Sequence, residues 1–248
     1  MNAPMHGRTG NRTGANGEKP GYLRPKDAAT ILILDKTLSG IRVLMGRRPA
    51  KDAFMPAAYV FPGGRVDPTD GRAFAASELD PIVRDRLMDR MRPKPSAARA
   101  RGLALCALRE TAEETGYLIG KSETDLARVV CEDWAPFRDA RVAPDLGALR
   151  LLARAITPPG RVRRFDSRFF VVWADAIALA PDGVAGTGEL ENIAWPTLDE
   201  ADDLELPRIT RSVIHDLKNR LVKDPALSPG GPAVFYRPVG ETFVHETL

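Results

Sequence analysis

The stretch Arg109-Glu110-Thr111-Ala112-Glu113-Glu114-Thr115-Gly116 packs three carboxylates into five consecutive positions. Helical neighbours lie three and four residues apart, so Glu110, Glu113 and Glu114 converge while Leu105, Leu108 and Ala112 form an apolar stripe opposite them. Like charges at this spacing cost roughly 0.2–0.5 kcal/mol per pair, which a helix selected for stability alone would avoid. A divalent cation turns that repulsion into ligation. Hard cations such as Mg²⁺ or Mn²⁺ prefer carboxylate oxygens, keep several waters and take their remaining ligands from substrate phosphates. Arg109 can pair with Glu113 one turn on, Ser96 offers an N-cap, and Gly116 is expected to end the helix in the left-handed conformation. Taken alone, these residues could also form an ordinary solvated helix face. The segment Phe61-Pro62-Gly63-Gly64-Arg65-Val66-Asp67 favours a site, because its double glycine lets the backbone pass close to a ligand.

Together, the Phe-Pro-Gly-Gly turn and the Arg-Glu-Thr-Ala-Glu-Glu-Thr-Gly-Tyr helix resemble the Nudix box of the Nudix hydrolases. Gly64 matches the opening glycine, and Arg109, Glu110, Glu113, Glu114 and Gly116 match the closing half; Thr111 stands where an aliphatic residue is usual. The family places an early glutamate after a spacer of about five residues beyond the glycine. The position eight before Arg109 is Arg101, so that glutamate is expected to be missing and an insertion to separate the glycine loop from the helix. Such an insertion resembles the branch containing the peroxisomal coenzyme A diphosphatases. The resemblance implies an α/β fold, a Nudix-type α/β/α sandwich with a mixed β-sheet. It also implies a metal-dependent hydrolase that cleaves the diphosphate linkage of a nucleoside diphosphate joined to another moiety. The expected ion is Mg²⁺ or Mn²⁺, held by Glu110, Glu113 and Glu114 with the Gly64 carbonyl as a further ligand. A later glutamate often assists in the family; Glu189 is the candidate and Glu191 the reserve. Glu110, Glu114 and Glu189 are alternative bases, with Arg109 completing the catalytic set.

Further arginines invite a substrate role. Arg47 and Arg48 follow a predicted β-hairpin, Ala28 to Leu34 with Ile41 to Met45, and the resemblance puts them near the nucleotide. Arg161, Arg163, Arg164 and Arg168 crowd ahead of a strand at Phe169 to Ala174, and Arg164 and Arg168 are expected to bind substrate phosphates. Solvated surface arginines are the alternative in both places.

A chain of 248 residues can bury a substantial core, and 44% hydrophobic with 28% charged residues is ordinary for a soluble enzyme. The net charge of +3 does not make the fold basic. Residues 1–26 carry Arg8, Arg12, Lys19, Arg24 and Lys26 against Glu18, a net +4, which leaves the remainder at −1. A disordered basic tail is expected over residues 1–25, a Nudix domain over 26–225 with an insertion at about 69–95, and a packed C-terminal extension over 226–248. The insertion reads as a helix around Pro81 to Met91 that lids or flanks the site, with inert decoration as the alternative. Residues 124–154 read as two helical pieces broken at Pro136 and Pro144. Ile209 to Val222 reads as an amphipathic helix. Cys106 and Cys131 lack a paired spacing, and three scattered histidines argue against a histidine-built centre. No apolar run reaches membrane-spanning length. The expected partner is a small nucleotide-diphosphate substrate in the cytoplasm, with neither membrane nor nucleic acid. Two other readings stay open: a catalytically weak nucleotide sensor, prompted by Arg101, and an RNA-directed, decapping-type protein using the tail.

Overall fold

A computed structural model describes residues 23–51, 56–123, 132–183, 188–240 and 242–248. The expected tail lies almost wholly outside them, as do residues 124–131 at the start of the stretch read as helical, Cys131 among them. Strands β1 (Lys26–Thr37), β2 (Gly40–Val43), β3 (Met45–Arg47), β4 (Tyr59–Val60) and β5 (Gly63–Arg65) come first. Helices α1 (Pro81–Met88) and α2 (Ala97–Thr115) follow, then β6 (Leu118–Ser122), α3 (Ala135–Asp139) and β7 (Val142–Pro144). The rest comprises β8 (Arg150–Ile156), β9 (Phe165–Trp173), β10 (Ile177–Leu179), β11 (Glu191–Ala194), α4 (Arg208–Lys223), β12 (Val234–Val239) and β13 (Thr242–Thr247).

The central sheet runs β13-β12-β8-β9-β1-β2, with β5 also pairing β1. It is mixed: β1 runs parallel to β9, and β12 parallel to β8, while the other pairs are antiparallel. Successive side chains of a strand point to opposite faces. On β1, Ala29, Ile31 and Ile33 therefore enter the core beneath α2, whereas Leu32 and Leu34 enter the core beneath α4. Val213, Ile214 and Leu217 close the second face from α4. The result is the expected α/β/α sandwich. Both caps of α2 are as read: the Ser96 hydroxyl accepts from Arg99 N–H, and Gly116 is left-handed at φ 75°.

Two expectations change. Residues 142–144 and 150–156 are strands, not helix; β8 is buried along most of its length between the two helical layers, and that burial overrides the helical preference of its alanines and leucines. The insertion is neither lid nor decoration. Leu79, Val83, Leu87 and Met91 are buried in the α2-side core, where α1 packs on α2 and β8. The segment after residue 225 packs on the domain by joining the central sheet, with β12 pairing β8 and β13 forming the edge.

Candidate active site

Glu110, Glu114 and Glu189 offer carboxylate oxygens that all lie within 4.8 Å of one another. Glu110 and Glu114 come from the last turns of α2, which crosses the sheet against the glycine loop of β5. A methyl group on Gly64 would overlap the Glu110 carboxyl, so only glycine lets the backbone approach this closely. The Gly63 N–H donates to Glu114 Oε2 at 2.8 Å. Gly64 O accepts a weak hydrogen bond from the Cys106 thiol, one turn before Glu110, at 3.7 Å. Glu189 arrives from the segment before β11. Its neighbour Leu190 is fully buried beneath α2, and Gly46 of β3 leaves the room that Leu190 and Ile193 fill.

Burial sets the electrostatics. The Glu114 side chain is 4% exposed, and desolvation pushes its carboxyl up to about 8; the Gly63 N–H opposes this, and the Glu110 and Glu189 charges add to it. Desolvation likewise pushes Glu110 up to about 7, against the pull of Arg109. Such a group of carboxylates is chemically suited to a hard divalent cation.

Arg109 holds the helix end in place. Its Nε and Nη2 donate to the two oxygens of Asp70 at 2.7 and 3.2 Å, and its Nη1 donates to Glu113 at 2.9 Å. Nη2 also lies 3.0 Å from Glu110 and donates to Arg65 O. Asp70 is wholly buried and accepts a further bond from Asp67 N–H at 2.8 Å.

No family model matches the chain. It is 24% identical over 242 residues to "Acyl-coenzyme A diphosphatase NUDT19" of Xenopus laevis, covering 71% of this chain and 63% of that one. The protein of the same name from Gallus gallus is 30% identical over 179 residues, covering 52% and 47%. The chain thus spans less than two thirds of the curated relatives it matches. A crystal structure of a Nudix hydrolase from Alicyclobacillus acidocaldarius superposes with a TM-score of 0.55 at 27% identity, over 82% of this chain and 93% of that one. The chain resembles the Nudix hydrolases in fold and in the layout of this site.

Within the Nudix framework, the early acidic residue is present after all. Five residues separate Gly64 from Asp70, the spacing the family uses, and Asp70 clamps Arg109. The insertion follows this residue instead of preceding it. Counting forward from Gly64 finds Asp70, whereas counting backward from Arg109 crosses the insertion and lands on Arg101. Arg101 pairs with Glu78 at 2.9 Å and donates to Gly71 O at 2.9 Å, bracing the insertion. The observation that prompted the sensor reading is therefore gone.

The other expected residues divide. Glu113 turns to Arg109 and stands outside the group of three. Glu191 is exposed on β11 opposite Arg47. Arg48 acts on Glu114, its charge opposing the rise of that carboxyl, whereas Arg47 donates to Ala57 O at 3.0 Å. Arg164 and Arg168 do not face the site. Arg164 is buried, donating to Thr157 O at 3.0 Å and Leu23 O at 2.6 Å. Arg168 is 1% exposed and pairs with Asp166 at 2.6 Å within a buried network with Asp27 and Arg154. Among the described residues, no helix is long and apolar enough to cross a membrane.

Proposed function

We propose that this chain hydrolyses the diphosphate linkage of a nucleoside diphosphate joined to another moiety, with coenzyme A or its acyl esters as the foremost substrate class. The observation that carries this reading is the convergence of Glu110, Glu114 and Glu189 at the end of a helix clamped through Arg109 to Asp70. The two curated relatives, both called acyl-coenzyme A diphosphatases, support the substrate class.

Glu110, Glu114 and Glu189 would hold the divalent cation, Mg²⁺ or Mn²⁺. Their fit is chemical: every donor is a carboxylate oxygen, and the charge of Glu114 is buried with the Gly63 N–H as its one hydrogen-bond donor among the described residues. When bound, such an ion neutralises phosphate oxygens and lowers the pKa of a bound water. The chain itself does the rest. Arg109 and Asp70 fix the direction of Glu110, and Gly63 fixes that of Glu114. One carboxylate of the three orients or deprotonates the attacking water over roughly 2.6–3.2 Å. Arg48, on the Glu114 side, supplies positive charge for a phosphate.

Mass spectrometry of products tests this, with wild type and Glu114→Gln incubated with Mg²⁺ or Mn²⁺ and coenzyme A, NADH or ADP-ribose. Adenosine 3′,5′-bisphosphate with a phosphopantetheine fragment, from wild type alone, is the expected result. AMP from NADH or ADP-ribose instead would keep the reaction and replace the substrate class. No product from any of them would overturn the proposal.

A further inference from the structure

The arginine cluster that does not reach the carboxylates builds a surface of its own. Residues 157–164 join the end of β8 to the start of β9, residues 23–26 lead into β1, and residues 92–95 lead into α2. Hydrogen bonds gather all three at one end of the sheet. Arg164 holds the carbonyls of Leu23 and Thr157, and its own carbonyl accepts from Lys26 N–H at 2.9 Å. Arg99 bridges Arg92 O to Asp27, the first residue beyond Lys26.

Six cationic side chains stand exposed on these segments: Arg24, Lys26, Arg92, Lys94, Arg161 and Arg163. The three segments contain no carboxylate, and among the described residues none of the six makes an ion pair. At the tip, Val162 is 89% exposed between two arginines, and Leu23 is 52% exposed beside Arg24. Five prolines and Gly160, left-handed at φ 82°, limit the freedom of the loops. Arg99 lies eleven residues before Glu110 on α2, about 16 Å along the axis, so this face does not share the phosphates of the carboxylate site.

We propose that this end of the sheet docks the protein on an anionic lipid surface, with Val162 entering the headgroup layer and the six cations facing lipid phosphates and carboxylates. Exposed cations gathered at the same end of the sheet as an exposed aliphatic side chain match the chemistry of such a surface. Single-stranded nucleic acid would call for stacking platforms, and the three segments carry no aromatic residue. Peripheral docking needs no spanning helix. It would add a membrane surface to the partners expected from the sequence, and it does not depend on the hydrolytic reading.

The test is co-sedimentation of the full chain with vesicles of phosphatidylcholine alone and with vesicles one third phosphatidylserine, at roughly 0.1 M salt. Wild type should partition only onto the anionic vesicles. Arg161→Gln with Arg163→Gln should weaken partitioning about 25-fold, at about fivefold per basic residue near the surface. Val162→Ser should weaken it further while preserving its salt dependence. These exposed substitutions should leave hydrolysis of a soluble substrate unchanged. Three results would each overturn the proposal: no partitioning by wild type, partitioning unaffected by the paired substitution, or loss in the same variants of single-stranded RNA binding without any vesicle binding.

Discussion

Asp70→Ala removes the acid that clamps Arg109. Both Asp70 oxygens are engaged, one by Arg109 Nε and the other by Arg109 Nη2 and Asp67 N–H, at a position with no exposure. Breaking a buried ion pair by deleting one partner costs about 3–5 kcal/mol. Arg109 keeps Glu110 and Glu113 nearby, so its charge is not left bare and the lower end, about 3 kcal/mol, applies. For a domain of this size that corresponds to about 6–12 °C in Tm. The freed guanidinium would draw on Glu110 and Glu113, so metal affinity and turnover should fall as well. Arg101→Glu is the contrasting variant. It loses a partly exposed pair worth about 1 kcal/mol or less, sets two acids side by side at Glu78, and should gain no activity. Calorimetry and turnover on both variants check this. Asp70→Ala with a Tm within about 2 °C of wild type and unchanged turnover, or Arg101→Glu with enhanced turnover, would refute the assignment of the early acid to Asp70.

Three further outcomes are expected. Glu114→Gln should lower turnover about 100-fold or more while preserving the fold, since the amide oxygen can still accept from Gly63 N–H; turnover with circular dichroism checks both. Gly64→Ala should cost about 100-fold in turnover by displacing the Glu110 carboxyl, read from steady-state kinetics on a variant with native metal-free melting. Glu110 and Glu114 titrate above the ordinary carboxylate value, to about 7 and about 8, so their contribution to stability is fully present below about pH 4.5 and is lost as pH rises to about 8. Chelator-treated protein should therefore lose stability over that window, and Mg²⁺ should raise Tm more at pH 8 than at pH 5, as scanning fluorimetry can show; equal gains would refute this.

Much of the site was legible because its residues lie close in sequence or act through local rules. The caps of α2, its three glutamates and the glycine loop all obey helix spacing or backbone freedom. Glu189 came from family resemblance across a long gap, and buried Leu190 beside it explains why that position is held. Asp70 was hidden because spacing is a contact rule, and a chain insertion breaks the count while leaving the contact intact. Gly71 and Gly102 nearly touch, so the chain leaves after Asp70 and returns with little change in the distance to be spanned. Arg168 was hidden because the strand begins at Phe165, ahead of the Phe169 start that the sequence suggests, so its two-residue alternation already includes Arg168. Asp166, Arg168 and Phe170 alternate onto the α2-side face, where an arginine needs buried acids and finds them. The strand at 150–156 shows tertiary burial prevailing over local propensity.

The placement of α1 ties two distant parts of the chain to a common fate. Its apolar side roofs the sheet beyond the reach of α2, and Arg86 donates to the carbonyls of Gly230 and Gly231 just before β12. Arg90 pairs with Glu246 on β13. Without β12 and β13 the insertion would lose these supports, and without the insertion that part of the sheet would expose an apolar face to water. The width of the sheet and the break inside the glutamate motif are thus mutually dependent in this chain, and a relative that lacks one should lack the other.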